Sequence, residues 1–449
     1  MQLRSDTIVA LSTAPGRSAI AVVRLSGPSA HELAQRLCGR WPDRPRECVR
    51  TRLAEPGTSQ AIDDALVTRF DAPRSYTGEP VVEFACHGGI SVVHSLLSAL
   101  VGQGARPAEP GEFTQRAVLN GKIDLLQAEA IGDLVDATTS AHRDVALAQM
   151  HGSLSTLIQE LRSALLHVEA LLVYDVDFPE EDDGPVSRAR ICEAAQAVVH
   201  RIEVLLATAP LGEVARDGAL VVVAGVPNAG KSSLFNALLG EERAIVTELA
   251  GTTRDAIEAR VARTPWPLRL VDTAGLRTTD DRLERLGIEV SERHIANAHA
   301  VLVCGETAAD VALAEAHVRN RSAAAPVVRV LTKADRGGNG ATDDSVRVSA
   351  HTRQGLDVLL ARVDALLSEH LGTLPTDGRV IVRVRHRAAL EAALAELRAF
   401  VEVWTEGALP GAIAAVHVRS ATGALDDLIG SVDVEQVLDR VFRTFCVGK

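Results

Sequence analysis

Gly225-Val226-Pro227-Asn228-Ala229-Gly230-Lys231-Ser232 fits the pattern G-x-x-x-x-G-K-[ST]. The apolar run Leu220 to Ala224 precedes it, and helix-forming residues from Ser233 to Leu239 follow. Strand, glycine loop and helix in that order predict a phosphate cradle. The glycines let successive backbone N–H groups turn toward one anion, and the helix N-terminus favours negative charge. Ala229, Gly230, Lys231, Ser232 and Ser233 then follow the phosphates; Lys231 reaches the terminal ones and Ser232 ligates Mg²⁺.

Reading outward, further signals stand in order. Thr252-Thr253-Arg254-Asp255 supplies a switch threonine, Thr253, to Mg²⁺. Asp272-Thr273-Ala274-Gly275 ends the apolar run Leu268 to Val271, so Asp272 is placed to hold the metal's water shell and the Gly275 backbone to sense a γ-phosphate. Thr332-Lys333-Ala334-Asp335 ends the run Val327 to Leu331, and Ser349-Ala350 ends another. An aspartate there accepts from guanine N1–H and the 2-amino group, a pair that adenine does not offer. Each motif alone is noise. All five in order, within alternating β-branched runs and helices from Leu220 to about Leu367, specify a P-loop, Ras-like guanine-nucleotide GTPase with a parallel sheet. The base-reading motif begins with Thr332 where Asn is usual. Threonine keeps a hydroxyl for tying the loops together, so guanine preference is expected to survive with lower affinity.

The hydrolytic group is less evident. Leu276 occupies the place where Ras-like switches carry a water-orienting glutamine. Charge between the β- and γ-phosphates must be offset by an arginine, Arg254 or Arg277, or by a monovalent cation held by Asn228. Glu284 is the acid best placed to reach water, although beside Asp280, Asp281 and Glu289 it reads equally as a solvated helix carboxylate.

The remainder of the 449 residues has two other textures, and about three domains are expected. From Met1 to about Asn120, short apolar runs at Ile8 to Leu11, Ala19 to Leu25, Ala65 to Phe70 and Val81 to Cys86 predict strands, with a helix over Val92 to Leu100, an N-terminal α/β domain. From Leu125 to about Thr208, helix formers place Leu154, Leu157, Leu161, Leu165, Val168 and Leu172 on one face, and Asp175 to Pro185 reads as a loop. After Pro375 the helical texture returns, with Leu390, Ala393, Leu394 and Leu397 together. The expected architecture is a helical bundle interrupted by an inserted GTPase domain. Its boundaries are 1–120, 121–215, 216–372 and 373–449. No run of 18 apolar residues exists, and Met1 to Asp6 does not resemble a signal peptide, so no membrane association is expected. Six cysteines without a C-x-x-C pair exclude a zinc ribbon and suit reduced thiols in a cytoplasm. A formal net charge of −12 excludes a general nucleic-acid coat, so RNA contact requires a local basic patch. Arg379, Arg383, Arg385 and Arg387 form the densest basic run, suited equally to tRNA phosphates or to a solvated helix start.

Several stretches carry a resemblance. Pro227-Asn228-Ala229-Gly230-Lys231-Ser232-Ser233, Ala250-Gly251-Thr252-Thr253-Arg254-Asp255 and Asp272-Thr273-Ala274-Gly275-Leu276-Arg277 resemble translation-factor-related bacterial GTPases. Pro15-Gly16-Arg17, Val23-Arg24-Leu25-Ser26-Gly27, Tyr76-Thr77-Gly78-Glu79, His87-Gly88-Gly89 and Glu109-Pro110-Gly111-Glu112-Phe113-Thr114 narrow it. With Leu119-Asn120-Gly121-Lys122-Ile123-Asp124-Leu125 and the final Cys446-Val447-Gly448-Lys449, they resemble the tRNA modification GTPase family called MnmE or TrmE over the full length.

The resemblance implies a homodimer joined through folate-binding N-terminal domains, and a complex with the FAD-dependent partner MnmG (GidA). Together they install a carboxymethylaminomethyl-type group on C5 of the wobble uridine of certain tRNAs. A tetrahydrofolate, in 5-formyl or methylene form, is implied as the one-carbon source, with Arg24, Glu83, Lys122 and Lys449 matching its contacts. Cations there suit folate carboxylates, and Glu83 suits a pterin. For GTP/GDP, the resemblance adds Thr247 to the nucleotide site and implies K⁺ held by Asn228, Thr247, Thr252 and the backbone carbonyl of Leu249, with Glu284 orienting water. Lys231, Asp272 and Glu284 are then the catalytic set. Cys446 either supplies a thiolate at uridine C6 or packs in the dimer groove; with no adjacent base, packing is favoured. The competing expectations are a GTP-switched ribosome-assembly factor and a GTP-binding protein with little turnover.

Overall fold

The computed structural model describes residues 6–58, 60–177, 187–241, 244–245, 257–261, 263, 266–272, 293–322, 326–337, 344–373, 377–406, 411–430, 445 and 448. The chain divides into two units: Met1–Gly132, Met150–Ile158 and Leu425–Lys449 form one, Asp133–Gln149 and Gln159–Ala424 the other.

The first unit carries β1 (Ile8–Leu11), β2 (Ile20–Ser26), α1 (Ala30–Gln35), β3 (Cys48–Ala54), β4 (Ala61–Phe70), β5 (Val81–His87), α2 (Ile90–Gly102), β6 (Arg106–Pro107), α3 (Glu112–Leu119) and most of α4 (Leu125–Asp136). The sheet order is β3-β4-β5-β2-β1-β6, antiparallel except where β6 joins β1. Strand side chains alternate between faces. Val23, Leu25, Val67 and Phe84 bury one face with Leu33 of α1 and Leu96 and Leu100 of α2. On the other face Ile8 and Ala10 meet Ala108 and Phe113. The strands and helix expected from apolar runs fall on β1, β2, β4, β5 and α2; β3 and α1 were not expected. In β3 only Val49, Thr51 and Leu53 turn inward while Cys48, Arg50 and Arg52 face out, so its apolar signal is diluted by alternating arginines.

In the second unit a seven-stranded sheet has the order β13-β12-β11-β7-β10-β9-β8. These strands are β7 (Ala219–Gly225), β8 (Ala244–Ile245), β9 (Ile257–Val261), β10 (Leu268–Asp272), β11 (Ala300–Gly305), β12 (Val327–Leu331) and β13 (Ser345–Arg347). The five from β13 to β10 are parallel, as the alternating texture predicts, and β9 and β8 extend it antiparallel. β7 is buried over its first six residues, as a central strand covered on both faces must be. Helices α9 (Lys231–Glu241) and α11 (Leu356–Leu371) cover one face through Leu234, Phe235, Leu359 and Val363. Helix α10 (Ala308–Arg321), opened by a reciprocal Thr307–Asp310 capping box, covers the other through Val311 and Val318.

The flanking helices are α5 (Ser140–Met150), α6 (Ser153–Asp177), α7 (Arg188–Leu206), α8 (Ala209–Asp217), α12 (Val384–Glu406) and α13 (Gly411–Ile429). Val168 and Leu172, Ile191 and Ala195, Phe400 and Trp404, and Ala414 and Val418 share one apolar cluster, so helices from both sides of the sheet-forming segment meet in the second unit. Arg188 closes this cluster, its guanidinium carbon 4.3 Å from the Trp404 ring centroid while Trp404 Nε1 donates to its carbonyl at 3.1 Å. On α6 the expected stripe is buried except at Leu157, which is half-buried; Ile158 is fully buried instead. No helix among the described residues is long and apolar enough to cross a membrane.

Candidate nucleotide site and N-terminal site

β7 lies between β10 and β11, and its C-terminal end delivers the phosphate loop. A Cβ on Gly225 would strike the Cys304 carbonyl, so only glycine lets the loop leave beside β11. Asn228 and Gly230 are left-handed, with φ of +62° and +78°. Asparagine and glycine tolerate that conformation, and the two turns curl the loop back toward α9. Lys231 is 8% exposed, and its Nζ donates to Gly225 O at 3.1 Å and Val226 O at 3.0 Å, so its ammonium spans the loop mouth. Ser232 and Ser233 are exposed on the first turn of α9. Asp272 is buried at the end of β10, in register with Val223 of β7. Lys231 and Asp272 both act on Cys304: burial pushes this thiol up to about 12, Lys231 opposing and Asp272 reinforcing the shift. Sequence-selected Lys231 and Asp272 therefore converge. Thr247, Leu249, Thr252, Thr253, Thr273, Ala274, Gly275 and Glu284 lie outside the described residues.

Beside the loop, Gly230, Ser233, Thr332, Lys333, Asp335 and Ala350 border a cavity of about 350 Å³. Thr332 is buried beneath it; its Oγ1 lies 2.7 Å from Ala229 O and 3.2 Å from Gly305 O. A hydroxyl has one proton to donate, and the shorter contact ties the base-reading motif to the phosphate loop. Lys333, at φ +56°, donates to Asn228 O at 3.1 Å and pairs with Glu306, making a second tie. Ser349 Oγ donates to Asp335 Oδ1 at 2.6 Å and accepts from the Thr352 amide at 3.2 Å. The Ser349 hydrogen bond holds the Asp335 carboxyl below its ordinary value, so it stays an ionised acceptor.

In the first unit, register places Arg24 of β2 opposite Glu83 of β5. Arg24 Nε and Nη2 each lie 2.9 Å from Glu83 Oε1, and the guanidinium carbon is 5.3 Å from the Tyr76 ring centroid and 5.7 Å from that of Phe113. Near the chain end, the Gly448 carbonyl accepts from Ser12 Oγ at 3.0 Å and lies 3.4 Å from Arg24 Nη1. A Cβ on Gly448 would strike the Leu11 carbonyl, which explains glycine there. Lys122 is exposed and donates to Pro73 O at 2.8 Å; its contacts do not include Arg24 or Glu83. Cys446 and Lys449 lie outside the described residues.

Two arginines absent from the sequence reading explain the motif acids around this site. Arg116, nearly buried, donates to Asp6 Oδ1 at 2.6 Å, Glu112 Oε1 at 3.0 Å and Glu79 at 3.3 Å. Arg106 reaches Glu112 Oε1 at 2.6 Å and Asp6 Oδ2 at 2.8 Å, and Ser26 Oγ donates to Glu79 Oε2 at 2.8 Å. Burial opposes ionisation of Asp6 and Glu112, but the arginine hydrogen bonds outweigh it and hold both carboxyls below their ordinary values. No local signal in the sequence marks Arg116, since its partner Asp6 lies 110 residues away, although acids held inside a fold require cations.

In the basic run after residue 378, Arg379 is exposed and Arg383, Arg385 and Arg387 are half-buried. Arg383 Nη2 donates to buried Asp133 at 2.7 Å, where Arg216 also bonds at 3.2 Å, and Arg387 pairs with Glu213 at 2.8 Å.

The family model for the MnmE helical domain matches residues 125–446, and that for the GTP-binding protein TrmE N-terminus matches residues 7–122. The "tRNA modification GTPase MnmE" of Aquifex aeolicus is 37% identical over 458 residues, covering 99% of this chain and 100% of the relative. That of Azorhizobium caulinodans is 41% identical over 451 residues with 100% of both chains covered. That of Parvibaculum lavamentivorans is 41% identical over 450 residues, covering 99% and 100%. With two family models matching residues 7–122 and 125–446, and relatives 37% and 41% identical over essentially their full length, the chain belongs to the tRNA modification GTPase MnmE family.

Proposed function

We propose that this chain hydrolyses GTP to drive addition of a carboxymethylaminomethyl-type group to C5 of the wobble uridine of certain tRNAs, with an FAD-dependent partner of the MnmG (GidA) type. The active form is a homodimer joined through the N-terminal domains. Domain limits of 1–120, 121–215, 216–372 and 373–449 fit a GTPase domain inserted into a helical one; support comes from the helical family match over 125–446 and from the cluster joining Val168 to Phe400.

Lys231 binds the terminal phosphates, and Ser232, Thr253 and Asp272 are suited to a magnesium ion, directly or through water. The exposed hydroxyl of Ser232 at the start of α9 and the carboxylate of Asp272 at the end of β10 fit that ion's oxygen preference. Asn228, Thr247, Leu249 and Thr252 hold a potassium ion, which when bound offsets charge between the β- and γ-phosphates. The exposed carboxamide of Asn228 on the left-handed crest of the loop fits an oxygen donor there. Glu284 orients the attacking water, a role that Leu276 cannot perform. Thr273, Ala274 and Gly275 follow the γ-phosphate, while Thr332, Lys333, Asp335, Ser349 and Ala350 hold the base. Arg24, Glu83, Lys122 and Lys449 hold a tetrahydrofolate derivative, which supplies the one-carbon unit. The paired guanidinium and carboxylate of Arg24 and Glu83 fit its carboxylates and pterin donors.

The observation that carries this reading over a ribosome-assembly role is the Gly448 carbonyl, which accepts from Ser12 Oγ and lies 3.4 Å from Nη1 of Arg24, the partner of Glu83. Equilibrium dialysis of the full chain with 5-formyltetrahydrofolate tests it. Saturable binding weakened about tenfold or more by Arg24→Gln is expected, since a charged hydrogen bond contributes about 1.5–3 kcal/mol. No binding by the intact chain would favour the ribosome-assembly reading.

A further inference from the structure

An acidic protein that handles tRNA needs somewhere to receive phosphates, and the run after residue 378 spends much of its charge on Asp133 and Glu213. The first unit holds a different concentration of charge. Arg36, Arg40, Arg44, Arg46, Arg50 and Arg52 stand within seventeen residues that contain two acids, Asp43 and Glu47, in a chain whose formal net charge is −12. The fold gathers them on one border. β3 is the edge strand of its sheet, and the segment after α1 runs along it: Gly39 N donates to Arg52 O at 3.0 Å and Arg40 N to Thr51 Oγ1 at 2.8 Å. Arg40 therefore leaves the backbone next to Arg52, while Arg50 and Arg52 alternate onto the same outward face.

Arg36 pairs with Glu32, but the other five charges are weakly compensated. Arg40, Arg44 and Arg52 form no ion pair among the described residues, Arg46 donates to the neutral Arg74 carbonyl, and Arg50 meets Asp64 only at 3.7 Å with both side chains exposed. Elsewhere arginines sit tightly on acids, as Arg263 on Asp364 and Arg329 on Glu315, each at 2.7 Å. Register also relates this border to the Arg24–Glu83 pair. Cys48, Thr68, Glu83 and Arg24 form one row across the sheet, and Arg50, Leu66, Ala85 and Val22 the row two residues along, on the same face. Three strand spacings put the arginine border roughly 14 Å from Arg24. Exposed Leu66 lies on the path between them.

We propose that the β3 border, through Arg40, Arg44, Arg46, Arg50 and Arg52, is a docking surface for the phosphate backbone of tRNA. It holds the polynucleotide beside the sheet face that carries Arg24 and Glu83. The surface rests on the tRNA reading above, and the test separates the two.

Binding of bulk tRNA to the full chain would be followed by fluorescence anisotropy over a range of KCl concentrations. Charge neutralisation in R40Q/R50Q/R52Q should weaken binding about tenfold or more near 0.1 M salt and flatten the log–log salt slope by about two to three, because each lost phosphate contact removes about one counterion. Melting temperature should stay unchanged, since all three residues are exposed. R379Q/R387Q should leave the slope as it is. Equal affinity and slope in intact and R40Q/R50Q/R52Q chains overturns the surface alone, and so does the reverse pattern between the two variants. No tRNA binding by the intact chain, with tRNA nucleosides unaltered in a strain lacking it, overturns the surface together with the tRNA reading.

Discussion

Thr332 does with one hydroxyl what the usual asparagine does with an amide. Its position and its role as a loop tie were legible from sequence, because a threonine at the end of a strand before Lys-Ala-Asp has a hydroxyl to donate. Its partner, Ala229 O, was not, since it lies 103 residues away. Thr332→Val removes the donor to the Ala229 carbonyl, while Gly305 O keeps the backbone N–H of residue 332, a loss of about 1–3 kcal/mol. GDP affinity, titrated with a fluorescent analogue, is expected to fall about tenfold. Equal affinity would mean that the tie does not shape the pocket. Arg116 illustrates the opposite case. Glu79 and Glu112 stood out as motif letters, yet nothing local marked Arg106 and Arg116 as the cations joining residues from Asp6 to Glu112.

At the scale of elements, this network clamps the start of α3 to the segments around Asp6 and Glu79. Removing the central charge in Arg116→Met leaves Glu79 without a guanidinium and Asp6 and Glu112 with Arg106 alone, and should cost about 1–3 kcal/mol in denaturant unfolding. The pH dependence has a definite sign. Folded Asp6 and Glu112 have lowered carboxyl pKa values, so their stabilisation is fully present above the unfolded values near 4 and is lost as pH falls through the folded ones. Glu112→Gln should destabilise at pH 7, and the gap from the intact protein should narrow as pH falls below about 4. A gap independent of pH would contradict the network. Elements with contiguous apolar runs were legible from sequence; β3 was not, because three of its seven residues face solvent as arginine or cysteine. The stripe on α6 was read one position off at Leu157, where three- and four-residue steps both fit and only packing selects Ile158.

For the whole molecule, the parallel order of the central sheet followed from alternating strands and helices, whereas the division into units did not. Helical texture runs from Leu125 up to the break at Asp175 without a change in composition, yet residues on either side of Gly132 and Ile158 belong to different units. The proposed hydrolysis carries its own test. GTP turnover should rise sharply in K⁺ over Na⁺ and fall strongly in Glu284→Ala; equal rates in both salts would remove the cation. That assay reports on the GTPase alone. The central claim, that hydrolysis here serves tRNA modification, is tested most directly by nucleoside mass spectrometry of bulk tRNA from a strain lacking the protein. Loss of a C5-aminomethyl-type uridine, restored by the intact gene and not by Lys231→Ala, is the predicted result. An unchanged nucleoside profile would contradict it and favour a role in ribosome assembly.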